Sequence, residues 1–230
     1  MNHAGEVVNV TKIKICGLTR EQDIDAVNAA LPDYIGFVFA KSKRQIDGKK
    51  AKALKGRLNS FIKAVGVFVN EEIENVIKFC NSQVIDVIQL HGDENEEYIK
   101  RLKNYVSNKI IKAVRVKEPD DIKKAMELSC DYLLFDAYHE KEYGGTGKTF
   151  DWSVIPHINK PFFLAGGINS CNIVHAIEHH NPYCIDISSG VETDGYKDPK
   201  KIMEVVTKVR DYTQSKRLHK VIDYNQSKRA

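Results

Sequence analysis

The sequence predicts a single α/β domain: a closed barrel of eight parallel strands ringed by helices, the (β/α)8 or TIM-barrel class. Three observations lead there. Short apolar runs alternate with longer amphipathic runs eight times across residues 12–210. The short runs are nearly continuous in Val, Ile, Leu and Phe, as in parallel strands covered on both faces. The 230 residues suit a barrel of this kind as one domain with a sizeable core. An open doubly wound sheet is the alternative. No G-x-G-x-x-G follows the first apolar run, and short, even units close into a ring more readily than they lie open.

In chain order, the strands are expected at residues 12–16, 34–39, 62–68, 84–90, 109–116, 132–136, 161–165 and 183–187. Helices are expected at 20–31, 48–58, 71–80, 94–105, 119–128, a short 151–158, 170–180 and 199–210. Start signals support several of them. Thr19 with Gln22 matches a capping box, and Asn70, Asp93, Asn169 and Asp198 each stand just ahead of a helical pattern. In the third helix Ile73, Val76, Ile77 and Cys80 recur at helical spacing on one face. Residues 1–11 form an N-terminal extension and 12–210 the barrel domain. Residues 211–230 form a polar tail in which 211–217 and 223–229 are near copies; two copies are too few for a solenoid, and a solvated extension of the last helix is expected.

Composition narrows the function classes. The net charge of +4 is small and the lysines are scattered, so no basic stripe for nucleic acid is expected, whereas an anionic small molecule fits. The five cysteines are odd in number and widely spaced without a CxxC pair, which argues against a zinc site or redox dithiol and for free thiols in a cytoplasmic protein. No apolar run of about 18 residues occurs, so no membrane partner is expected.

In a strand–helix barrel the carboxyl ends of the strands converge on one mouth. Cys16 ends the first strand. Alone, such a cysteine is more often a small buried apolar residue than a nucleophile or base, and its company decides. Arg44 lies in the loop after the second strand, Asn70 follows the third, and His91 follows the fourth as a proton carrier or a hydrogen-bonding wall residue. Asp136 closes the run Leu133, Leu134, Phe135; apolar walls there would raise its pKa and fit it for acid work. Gly166 and Gly167 follow the seventh strand, and Ser188, Ser189 and Gly190 the eighth, where barrels hold phosphate on backbone N–H groups. The glycine-rich loop 143–150, with Gly145 and Gly147, is a further phosphate candidate without the spacing of a nucleotide P-loop. No metal-ligand cluster stands out.

Taken together, KICGLT at 14–19, GFVF at 36–39 with SKR at 42–44, VGVFVN at 65–70, QLHG at 89–92, YGGTGKTFDW at 143–152, LAGGIN at 164–169 and DISSGVE at 186–192 resemble the phosphoribosylanthranilate isomerase family of tryptophan biosynthesis. The resemblance covers about residues 12–210 in the family's order; residues 1–11 and the tail lie outside it, and the second loop is one residue shorter than in some members. It implies a single barrel, monomeric or homodimeric, without cofactor or metal, acting on a phosphoribosyl small molecule. The implied reaction is the Amadori rearrangement of N-(5-phosphoribosyl)anthranilate. By the same resemblance Cys16 is the general base, Asp136 the general acid, Arg44 the contact to the anthranilate carboxylate, and Asp186 part of the substrate site. A base and an acid on different strand ends suit this chemistry, provided that Lys14 or Arg44 lowers the thiol pKa. Two other readings are weaker. A sister barrel of the histidine pathway would carry Asp where Cys16 stands, and a non-catalytic phosphate binder would need neither Cys16 nor Asp136.

Overall fold

The computed structural model describes residues 10–137, 152, 155, 156 and 158–227, the segment 217–227 as backbone alone. Eight parallel strands close in sequence order: β1 (Lys12–Cys16), β2 (Tyr34–Val38), β3 (Lys63–Phe68), β4 (Val87–Leu90), β5 (Lys109–Val116), β6 (Tyr132–Ala137), β7 (Phe162–Leu164) and β8 (Cys184–Ile187), with β8 pairing back onto β1. Around them run α1 (Glu21–Ala30), α2 (Gly48–Arg57), α3 (Ile73–Asn81), α4 (Glu96–Lys103), α5 (Pro119–Met126), α6 (Ile173–His180) and α7 (Pro199–Ser227). Most of the helix expected at 151–158 lies outside the described residues, although Trp152 is buried and Ile155 packs on the core.

Strand side chains alternate between two faces. One set, including Ile13, Ile15, Ile35, Phe37, Phe135 and Ile185, packs outward beneath the helices. The other, including Tyr34, Val65, Val87, Ile111, Leu134 and Phe163, fills the barrel interior. Each such buried side chain contributes about 1.5–3 kcal/mol against the entropy of ordering it. At the end away from the strand carboxyl termini, Tyr183 links Lys12 (Nζ to Oη, 2.9 Å) with Tyr34 (Oη to Oη, 3.0 Å), and Tyr132 stacks on its ring.

Several helix starts differ from the sequence reading. Arg20, not Thr19, is the N-cap of α1, and Asp23 closes the box: its Oδ2 accepts from the backbone N–H of Thr19 and Arg20, while its Oδ1 pairs with the Arg20 guanidinium. A charged carboxylate at N3 outcompetes the neutral Gln22 amide for those donors. Asn70 does not cap α3, whose N-cap is Glu72; it takes a left-handed φ of 50° and its Oδ1 accepts from Asp93 N at 2.7 Å, tying the loops after β3 and β4 together. Asn95 rather than Asp93 caps α4, accepting from Tyr98 N. Asn169 serves the turn before α6 by accepting from Cys171 N, and the helix itself starts only at Ile173. Asp198 caps as expected, accepting from Lys200 N at 2.9 Å. With no Gly or Pro after Pro199, α7 continues unbroken to Ser227, and Tyr212 and Thr213 still pack against the barrel.

Candidate active site at the carboxyl mouth of the barrel

The inward parity of the strands delivers Lys14 and Cys16 from β1, Gln89 from β4 with His91 just beyond it, Asp136 from β6 and Asp186 from β8 to the carboxyl end of the barrel. The β1–β8 register sets Lys14 directly beside Asp186, and Lys14 Nζ lies 2.7 Å from Asp186 Oδ2. Lys14 has no exposed surface. Burial alone would discharge it, but Asp186 and the Cys16 thiol outweigh that and hold the ammonium above the ordinary lysine pKa. The second oxygen, Asp186 Oδ1, is buried without a hydrogen-bond partner among the described residues.

Cys16 retains some exposure at the mouth. The surrounding barrel wall pushes its thiol up; Lys14 and then Lys197 pull the other way without winning, and Asp186 adds to the rise. This corrects the expectation of a depressed thiol pKa. Lys14, the nearest cation, is already committed to Asp186, and Arg44 to another carboxylate. Room for the sulfur comes from Gly36 on β2: a Cβ there would stand 2.6 Å from Cys16 Sγ.

Asp136 does not stand against apolar walls alone. His91 Nε2 lies 3.4 Å from its Oδ2, and both side chains are nearly buried. Gln89 Nε2 sits 2.8 Å from His91 Nδ1; with the amide as donor, the imidazole proton is on Nε2, the nitrogen nearest Asp136. Behind this pair Glu94 accepts from Asn70 N, Gly92 N and Lys112 Nζ, a buried junction that shapes the loops after β3 and β4.

Arg44 meets Glu192 side-on, Nε to Oε1 at 2.7 Å and Nη2 to Oε2 at 2.9 Å. Lys197 Nζ reaches the same carboxylate at 2.8 Å. Glu192 is nearly buried, which opposes its charge, yet Arg44 and Lys197 bring its carboxyl down to about 2.

Gly166 and Gly167 have φ of 84° and 68°. Gly190 lies against the loop that follows them, since a Cβ there would stand 2.0 Å from Ile168 O. Ser189 opens a 3-10 turn, Ser189–Val191. The two predicted phosphate segments are therefore neighbours at the mouth, while Gly145 and Gly147 lie outside the described residues. Glu192 and Lys197 carried no assigned role in the sequence reading. Glu192 ends the DISSGVE motif, which was a usable signal, whereas nothing local marks Lys197 as buried. Among the described residues no group of three or more His, Cys, Asp and Glu side chains is arranged to hold a metal, and no helix is long and apolar enough to cross a membrane.

Comparison with known proteins adds an independent line. The family model for N-(5'phosphoribosyl)anthranilate (PRA) isomerase matches residues 13–208. The N-(5'-phosphoribosyl)anthranilate isomerase of Endomicrobium trichonymphae is 52% identical over 199 residues, covering 86% of this chain and 98% of that one. A solved phosphoribosyl anthranilate isomerase in complex with reduced 1-(o-carboxyphenylamino)-1-deoxyribulose 5-phosphate superposes with a TM-score of 0.74 at 30% identity, covering 87% of this chain and 99% of that one. Monomers generated from the dimeric phosphoribosylanthranilate isomerase of Thermotoga maritima give a TM-score of 0.75 at 31% identity, with coverage of 87% and 99%.

Proposed function

Because the chain belongs to the N-(5'-phosphoribosyl)anthranilate isomerase family, we propose that it catalyses the family's Amadori rearrangement: N-(5-phosphoribosyl)anthranilate to 1-(2-carboxyphenylamino)-1-deoxyribulose 5-phosphate, in tryptophan biosynthesis. The observation that carries this reading is the inward position of Cys16 and Asp136 on strands of the same mouth.

Asp136 as the acid gives a proton to the ribose ring oxygen; the C1′–O bond breaks, and the nitrogen lone pair forms the iminium. That cation acidifies the C2′ proton. Cys16 as thiolate removes it, giving an enolamine, which tautomerises to the ketone. The proton lost from C2′ and the one gained by the ring oxygen balance, so the reaction is an isomerisation carried by side chains alone. A resting thiol whose pKa is raised becomes a base by ionising, and Lys14 and Lys197 are the cations that favour the thiolate. His91 steers the Asp136 carboxyl, and the unpartnered Asp186 Oδ1 accepts from a ribose hydroxyl. Arg44 receives the aromatic carboxylate. Phosphate binds on backbone N–H groups near Gly166, Gly167, Ser189 and Gly190, with Gly145 and Gly147 from the glycine-rich loop. All these residues come from one barrel, so a monomer and a homodimer would each hold complete sites, and free thiols suit a cytoplasmic location.

The test is loss of anthranilate-amine fluorescence when purified protein meets the substrate, with the histidine-pathway substrate run alongside. No loss at high enzyme concentration sinks the reading; turnover of both substrates would broaden it.

A further inference from the structure

After β8 and the turn Ser189–Val191 the chain forms a two-residue hairpin, β9 (Glu192–Thr193) and β10 (Tyr196–Lys197). Asp194 and Gly195 both have positive φ, 51° and 81°, the signature of the tight turn that matches strand twist. The register sets Lys197 opposite Glu192. Arg20 fastens the hairpin to the start of α1, donating to Lys197 O at 3.1 Å with its guanidinium 4.3 Å above the Tyr196 ring. A short, otherwise exposed hairpin thus holds two nearly buried, oppositely charged side chains beside Arg44.

The ammonium of Lys197 has three acceptors: Ser188 O at 2.8 Å, Ser188 Oγ at 3.4 Å and Glu192 Oε1 at 2.8 Å. Arg44 offers five N–H donors, and Glu192 takes the Nε–Nη2 edge, so the Nη1–Nη2 edge keeps donors for a second carboxylate. Charge decides what that edge can bind. Arg44 and Glu192 alone sum to zero, and a neutral pair draws no anion into a partly buried site. Lys197 restores a net charge of +1. Lys43, 4.0 Å from the Glu192 carboxylate, and Lys201, whose Nζ donates to Glu192 O at 2.7 Å, are exposed and screened by solvent.

We propose that Glu192 and Lys197 are positioning residues that turn Arg44 into a receptor for the aromatic carboxylate of the substrate: Glu192 orients the guanidinium, and Lys197 cancels the charge of Glu192 so that one net positive charge remains for the incoming anion. This rests on the isomerase reading above. A purely structural role for the pair makes a different forecast for phosphate. Lys197 also holds Ser188, whose Oγ donates to Cys16 O at 3.0 Å, so as a mere clip its loss would disturb the turn at Ser189 and Gly190 and weaken phosphate together with 2-aminobenzoate.

The experiment is a double-mutant cycle on the full chain, read by KM and kcat for the substrate and by dissociation constants, from calorimetric titration, for 2-aminobenzoate and for inorganic phosphate. Lys197→Met should raise KM and weaken 2-aminobenzoate roughly tenfold; kcat falls as well, because Lys197 also favours the Cys16 thiolate, so the binding constants are the readout that decides. Glu192→Gln keeps one acceptor for Arg44 and removes a negative charge, so 2-aminobenzoate should bind at least as tightly as to the wild type. Glu192→Gln with Lys197→Met returns the net charge to +1 and should come back to within about threefold of wild-type affinity. Phosphate affinity should be the same in all four proteins. A double variant weaker than Lys197→Met, or phosphate affinity falling in parallel, overturns the proposal. If Lys197→Met does not fold, the other two variants decide, and both binding 2-aminobenzoate more weakly than the wild type overturns it. Absence of isomerase activity in the wild type would instead strike the functional reading, since the 2-aminobenzoate cycle is read without turnover.

Discussion

Lys14 and Asp186 face each other across the β1–β8 seam at 2.7 Å, both nearly or wholly buried, directly beneath Cys16. Inward residues elsewhere in the barrel are largely apolar, so this pair is a polar floor under the reacting end. Removing one partner strands the other charge. Lys14→Met is expected to lower the unfolding free energy by about 3–5 kcal/mol, and Lys14→Met with Asp186→Asn to recover much of it. Urea denaturation of the three proteins measures this. Equal loss in the single and double variants would mean that the pair's packing, not its charge, matters.

Cys16→Ala and Asp136→Asn should each cut kcat by a factor on the order of a hundred to ten thousand while KM moves little, since other groups hold phosphate and carboxylate. Circular dichroism should show both folded, because each residue sits at the mouth end of its strand. Near-normal turnover in either folded variant removes that residue from the mechanism and leaves His91 and Asp186 as the proton carriers.

The pH response of Cys16 follows from its surroundings. Burial raises the thiol pKa against Lys14 and Lys197, and the raised value means the thiolate forms only at higher pH than in a free thiol. In a Cys171→Ser background, which removes the exposed thiol, alkylation of Cys16 by iodoacetamide should accelerate with pH through a midpoint above the roughly 8.5 of a free cysteine. The acidic limb of kcat/KM should sit at the same place. A midpoint below 8 would show that the two lysines dominate the wall.

Gly167 has a φ of 68°, so any side chain there brings strain as well as bulk. Gly167→Ala should raise KM and weaken phosphate inhibition about tenfold, at a cost of about 1–2 kcal/mol in stability. Unchanged phosphate inhibition in a folded variant would place the phosphate elsewhere.

Shortening the chain tests which part of α7 the barrel needs. Ending after Thr213 keeps Tyr212 and Thr213 against the barrel and should leave the melting temperature and turnover nearly unchanged. Ending after Arg210 removes both and should lower the melting temperature by several degrees. A collapse of the longer form would show that the repeated tail docks on the barrel.

The barrel and the place of Cys16 and Asp136 at strand ends of its mouth were legible in the residues themselves, and the family resemblance added Asp186. Apolar runs and the helical patterns between them are local properties, and a barrel gathers its strand ends at one mouth. The family motifs, also local strings, carried the proposed chemistry. The sequence could not say which partner each charged side chain would choose. The Arg44–Glu192 pair spans 148 residues and the Lys14–Asp186 pair 172, and only barrel closure brings them together. The same closure explains why Asn70 joins a neighbouring loop instead of capping its helix, and why the Cys16 thiol is raised rather than lowered. Burial and pairing are sums over everything that the fold brings near, so ionisation at this mouth is decided by tertiary structure.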